Sequence, residues 1–154
     1  SSGWGMIFTI VGCLKTGHLR GGGRAMAVNN PYINPPEEKE QMALVQWLEL
    51  HKVKYTHVPN EGLHKVQYRV KQKRLGVKAG VPDLLIFDPP PACPDNVGTA
   101  IELKRRKGGR VTPEQTDWLN NLKDRGWAVA VCKGAGEAIS FLESLGYGSG
   151  QNVC

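Results

Sequence analysis

The amino-acid sequence predicts a single α/β domain, a mixed β-sheet with helices on its faces. Two patterns lead there. Apolar runs of strand length alternate with segments of helical period in the order α-β-α-β-β-α-β-α. A chain of 154 residues also suffices for one buried core, and its 40% apolar and 22% charged residues are ordinary for a globular protein.

Residues 1–30 are read as standing outside that domain. Ser1-Ser-Gly3 is no natural initiator, Gly21-Gly-Gly23 and Asn29-Asn30-Pro31 have linker composition, and Met26 is an alternative start. The expected organisation is an N-terminal extension over 1–30, flexible or foreign to the fold, a domain over 31–148, and a short tail over 149–154.

The domain opens with a helix running to about Leu50. Asn34 suits its cap, Pro35 its first turn, and Glu37, three residues after Asn34, a capping box. Met42, Leu44, Val45, Trp47, Leu48 and Leu50 carry the apolar period. A short strand over 53–58 follows, then a basic helix over 63–75 stopped by Gly76. Residues 83–88 and 99–104 are two further strands. The proline-rich turns at Pro89-Pro-Pro91 and Pro94-Asp-Asn96 join them into an antiparallel hairpin. Thr112-Pro-Glu-Gln115 opens a helix to about Lys123, residues 127–132 form the fourth strand, and 136–145 the closing helix. Gly134-Ala-Gly136 reads as a helix entry, because a lone Gly-x-Gly is a weak dinucleotide signal. Trp47, Trp118 and Trp127 fall at core positions.

Several function classes fall away. No apolar run approaches the roughly 20 residues that span a bilayer. The run over 6–14 is broken by Thr9 and Gly12 and lacks a basic leader, so a cytoplasmic protein is expected. Cys13, Cys93, Cys132 and Cys154 are scattered, without the close pairs of a zinc site. Cys132, inside an apolar run, is expected as a buried core thiol.

The net charge of +6 is more informative, because it is concentrated. Between Gly62 and Arg110 there are eleven basic residues, Lys65, Arg69, Lys71, Lys73, Arg74, Lys78, Lys104, Arg105, Arg106, Lys107 and Arg110. The same stretch holds four acids, Asp83, Asp88, Asp95 and Glu102. Such clustering suits a polyanionic partner, nucleic acid first, although a solvated basic face has the same composition.

Two of those acids form a constellation. In a strand over 99–104, Glu102 and Lys104 project from one face while Ile101 and Leu103 point into apolar packing. Asp83 heads the neighbouring strand, where hairpin pairing can set it beside Glu102. Two facing carboxylates repel unless a cation lies between them, and Mg2+ is commonly held by one or two carboxylates, waters and a substrate phosphate. With Lys104 at hand to orient a water and balance charge, this set suits phosphodiester hydrolysis. The alternative is a surface salt bridge on the hairpin.

A longer series extends the constellation. Pro59-Asn-Glu-Gly62, Gly76-Val-Lys-Ala-Gly-Val-Pro-Asp83, Ile101-Glu-Leu-Lys104, Gly109-Arg-Val-Thr-Pro-Glu-Gln115 and Gly126 follow one another in order. This series resembles the VRR-NUC branch of the PD-(D/E)XK nucleases, especially its short stand-alone phage members, from about Glu37 to Leu145. A Pro-Asp plus Glu-x-Lys pair alone is weak, whereas the extended series is specific. Pro94-Asp95, a competing dipeptide, lies in a turn. The resemblance implies a restriction-endonuclease-like fold, Mg2+ or Mn2+ dependence and DNA as substrate. It implies that Asp83, Glu102 and the Leu103 backbone carbonyl hold the metal and that Lys104 assists the water. By analogy it also implies homodimers, branched or four-way junction DNA as preferred substrate, and host cytoplasm if the chain is phage-encoded.

Two further residues have double readings. Glu37, Gln41, Leu44 and Leu48 make one stripe on a helical wheel, with Glu38 and Glu40 off it. The family carries a glutamate on this helix near the metal, and Glu37 fits it, unless it only closes a capping box. Gln115 completes a capping box by pattern, and the family places a glutamine here beside the Glu-x-Lys strand. His57 and His64, seven apart, are expected to touch DNA or solvent rather than a metal. The expected activity is a metal-dependent DNA endonuclease, with neither membrane nor small-molecule cofactor. The rivals are a non-catalytic DNA-binding subunit of the same fold and an RNA-directed enzyme.

Overall fold

A computed structural model of the chain describes residues 35–59 and 66–150. The extension over 1–30, Asn34, Lys65, His64 and the end of the tail lie outside the described residues. The elements run α1 (Glu37–Leu50), β1 (Tyr55–His57), α2 (Val66–Arg74), β2 (Leu84–Ile86), β3 (Thr99–Lys104), α3 (Pro113–Asp124), β4 (Ala128–Lys133) and α4 (Gly134–Ser144). The order is the one the sequence predicts, and β3 has the same bounds. The other strands are shorter or shifted by a residue and α2 ends one residue early, as local patterns locate element ends poorly, while the expected start of α2 over 63–65 lies outside the described residues.

The sheet order is β1-β2-β3-β4. β1–β2 and β2–β3 pair antiparallel, and β3–β4 pair parallel through the α3 crossover. Strand alternation then sorts the side chains. Leu84 and Ile86 of β2 and Ile101 and Leu103 of β3 join Leu44 and Leu48 of α1 and Ala138 and Leu142 of α4 in the main core. The opposite face of β3, carrying Ala100, Glu102 and Lys104, lies toward α3, whose Gln115 reaches Glu102. β3 is thus covered on both sides, and even Glu102 is fully buried.

Tyr147, beyond α4, closes the far end of the core. Its hydroxyl bonds the Asp88 carbonyl and the Thr99 hydroxyl. Cys132 is buried as the sequence predicts, and burial pushes its thiol up to about 12, so it is inert. Among the described residues no helix is long and apolar enough to cross a membrane.

α1 departs from expectation in two respects. It starts at Glu37 with Pro36 at the N-cap and no side-chain cap, so the capping box expected from Asn34 and Glu37 is not its start. The acids of its first turn, Glu37, Glu38 and Glu40, complement the helix dipole instead. Its buried stripe is Glu40, Leu44 and Leu48 at spacings of four, rather than a stripe headed by Glu37. A wheel phased on two leucines admits either glutamate, and packing against α4 selects Glu40.

Candidate active site

The β2–β3 register pairs Leu84 with Ile101 and Leu85 with Ala100. Extended by one residue, it sets Asp83 opposite Glu102, as the hairpin reading requires. Asp83 Oδ2 accepts from the Leu103 backbone N–H at 2.8 Å, which ties the side chain across to β3. Its carbonyl accepts from Val58 N–H at 2.8 Å and lies 2.9 Å from His57 Nδ1. The edge strand β1 therefore clamps the Asp83 peptide from one side while β3 holds the carboxylate from the other.

The turn before Asp83 depends on one glycine. Gly80 has φ +83°, and a Cβ there would lie 2.6 Å from the Glu114 backbone. The bare backbone lets the Gly-Val-Pro-Asp turn press onto the first turn of α3. Trp118 fastens the same contact, donating from Nε1 to the Ala79 carbonyl at 3.0 Å.

Glu102 is the centre of the cluster. Lys104 Nζ donates to Glu102 Oε1 at 2.6 Å, and Gln115 Nε2 donates to the same oxygen. The other oxygen, Oε2, is buried with no hydrogen-bond donor. Burial pushes the Glu102 carboxyl up to about 7. The hydrogen bond from Lys104 opposes that rise, and the nearby Asp83 carboxylate reinforces it. A buried carboxylate oxygen without a partner, faced by a second carboxylate, is an unsatisfied arrangement for protein groups alone.

A hard divalent cation fits this donor set, in which the carboxylate oxygens of Asp83 and Glu102 face each other. Among the described residues no group of three or more His, Cys, Asp or Glu gathers to cage a metal.

Gln115 holds both of its expected positions at once. The Thr112 hydroxyl accepts from Gln115 N–H, and Gln115 Oε1 accepts from Thr112 N–H at 2.9 Å, a complete capping box. The remaining amide N–H group is the one aimed at Glu102. Glu37 is placed differently. It is part-exposed, with its carboxylate 4.0 Å from Arg105 Nε.

Of the expected nucleic-acid contacts, Arg69, Lys71, Lys73 and Arg74 are exposed on α2, and Lys78 is exposed in the turn leading to Asp83. Arg105, Lys107 and Arg110 are exposed beyond β3. Arg106 differs from them, since its Nε donates to buried Glu40 at 2.6 Å. Two residues lie closer to the site than the sequence placed them, His57, expected to touch DNA or solvent, and Gln41, expected only on the core-facing stripe of α1. His57 contacts Asp83 as described, and Gln41 Nε2 lies 3.3 Å from the same ring nitrogen, linking α1 to β1. Glu40, which the wheel set off the core-facing stripe, is buried on it instead, and its spacing of four from Leu44 was the available signal.

The model of the VRR-NUC domain matches residues 28–136. A solved structure described as a VRR_NUC domain protein is similar, at 29% identity and a TM-score of 0.60, over 73% of this chain and 88% of that one. No curated protein matches the chain. With the family model spanning most of the sequence and the α/β fold shared with that structure, the chain belongs to the VRR-NUC family of the PD-(D/E)XK nuclease superfamily.

Proposed function

We propose that the protein is a divalent-metal-dependent DNA endonuclease, with Asp83, Glu102 and the Leu103 backbone carbonyl as metal ligands. The observation that carries this reading is the buried, partnerless Oε2 of Glu102 beside Asp83, with Lys104 on the other oxygen. A bound Mg2+ or Mn2+ supplies Lewis acidity toward a phosphate oxygen and lowers the pKa of a water.

The chain's own residues do the rest. Lys104, two residues from Glu102 on the same strand face, orients the attacking water and offsets negative charge as the phosphodiester opens. Gln115 and Lys104 together fix Glu102 Oε1, so that Oε2 keeps its direction. The Leu103 N–H does the same for Asp83. The exposed bases of α2 and of the segment after β3 hold the phosphate backbone, a contact that carries no sequence information. Junction selectivity and a homodimeric state belong to the same reading by analogy with the family.

The test is incubation with Mg2+ or Mn2+ and a panel of linear, flapped and four-way DNA and of RNA. Metal-dependent cleavage of DNA that disappears in Lys104→Ala is the expected result. No cleavage of any substrate, or cleavage that survives Lys104→Ala, overturns the proposal.

A further inference from the structure

Glu40 is an expensive residue to place where it lies. Its side chain is 4% exposed, on the stripe of α1 that otherwise carries Leu44 and Leu48. Burying a carboxylate costs several kcal/mol unless good partners compensate. Both oxygens have partners. Oε2 accepts from Ala135 N–H at 2.7 Å, in the first turn of α4, and Oε1 accepts from Arg106 Nε at 2.6 Å. Gly134 makes room for this, because a Cβ there would come within 3.0–3.1 Å of Arg106 Nε and of both Glu40 oxygens.

Capping a helix start needs only a neutral oxygen such as that of Ser or Asn. The charge on Glu40 is required by Arg106. That pairing consumes Nε, while the Arg106 side chain stays 48% exposed. Its terminal Nη groups make no protein hydrogen bond among the described residues. A guanidinium gripped by its inner nitrogen presents its outer edge in a fixed direction, the geometry in which arginine binds phosphate. Arg106 stands two residues after Lys104. Arg105, by contrast, is 64% exposed, and its ion pair with Glu37 among the described residues is a loose one at 4.0 Å.

We propose that Glu40 is a positioning residue that presents Arg106, two residues beyond Lys104 in the chain, to a backbone phosphate of bound DNA. The inference rests on the nuclease reading only for the identity of the polyanion. Holding the side chain in the free protein removes ordering cost from binding.

The experiment measures affinity for a short blunt DNA duplex in EDTA, across a salt series, for the full chain and its variants. Arg106→Ala is expected to weaken binding about fivefold and to lower the slope of log affinity against log salt by about one. Glu40→Gln keeps one oxygen for Ala135 N–H but turns an amide N–H toward Arg106. It is expected to weaken binding about threefold in the unaltered chain and not at all in an Arg106→Ala background, the signature of a coupled pair. Where Arg106→Ala fails to fold, Arg106→Lys keeps a charge for Glu40, yet one ammonium cannot serve both carboxylate and phosphate, so the slope falls likewise.

A salt slope unchanged by either Arg106 variant, whatever the melting temperature does, overturns the proposal and leaves a structural salt bridge. So does a Glu40→Gln effect that is equal in both backgrounds. No duplex binding by the unaltered chain at low salt overturns this inference alone. Duplex binding without Mg2+- or Mn2+-dependent cleavage of any substrate in the panel overturns the nuclease reading alone.

Discussion

Gln115 donates from its amide nitrogen to Glu102 Oε1, the oxygen that Lys104 also holds, and thereby ties the start of α3 to the centre of β3. Its own Oε1 accepts from Thr112 N–H in the capping box. One side chain thus serves helix stability and the geometry of the candidate site. The two roles are separable by mutation.

Thr112→Ala removes the hydroxyl cap and leaves the Glu102 contact intact. It is expected to cost about 1 kcal/mol of stability with little change in cleavage. Gln115→Ala is expected to cost a similar amount and also to lower activity or metal affinity about ten- to a hundredfold. Denaturant melts and cleavage rates on both variants check this. Equal activities would show that the Glu102 contact is idle.

Lys104→Ala is expected to lower kcat by about a hundred- to a thousandfold while duplex affinity changes little, since Lys104 is mostly buried against Glu102 and is not one of the exposed bases that hold the backbone. Single-turnover cleavage and equilibrium binding on the same preparation separate the two. A loss confined to binding would make Lys104 a phosphate contact.

The Glu102 carboxyl, raised from 4.5 to about 7 chiefly by burial, makes a prediction about pH. A folded-state pKa above the unfolded one means the folded protein holds a proton that the unfolded chain has released. Glu102 therefore favours folding most fully below pH 4.5, and that contribution is lost as pH rises through about 7. Metal-free protein is expected to melt at higher temperature at pH ~5.5 than at pH ~8, and Glu102→Gln is expected to flatten the difference. Mg2+ should raise the melting temperature at the higher pH in the unaltered chain and not in the variant. A melting profile that Glu102→Gln leaves unaltered would remove Glu102 as its source.

Gly80→Ala places a side chain at φ +83° and 2.6 Å from the Glu114 backbone. The turn must lift off α3, at an expected cost of about 2 kcal/mol or more. Activity should fall further than stability alone explains, because Asp83 moves with the turn. Gly76→Ala, also at positive φ but with nothing within 4 Å, serves as the control for backbone strain without collision. Equal losses in the two variants would show that the contact with α3 is unimportant.

Much of the site was legible because it is written at short range. Glu102 and Lys104 share a face by strand alternation, and Thr112 with Gln115 is a three-residue cap. Glu40 and His57 were not legible in that way. Glu40 meets Ala135 across 95 positions and Arg106 across 66, and His57 meets Asp83 across 26. No local period records such meetings.

The sequence by itself determined the element order, the face shared by Glu102 and Lys104, the capping of α3 and the family. Each of these depends on residues a few positions apart, or on motif order. The tertiary structure selected the register, allowed by the hairpin, that sets Asp83 opposite Glu102, and it alone decided that Glu102 Oε2 is left without a donor and that Glu40 rather than Glu37 turns inward to hold Arg106. Those outcomes depend on strand register and on the rotation of α1 against α4. Both are set when the whole core packs and excludes water, and a strand shifted by one residue or a helix turned by one position would have reversed them.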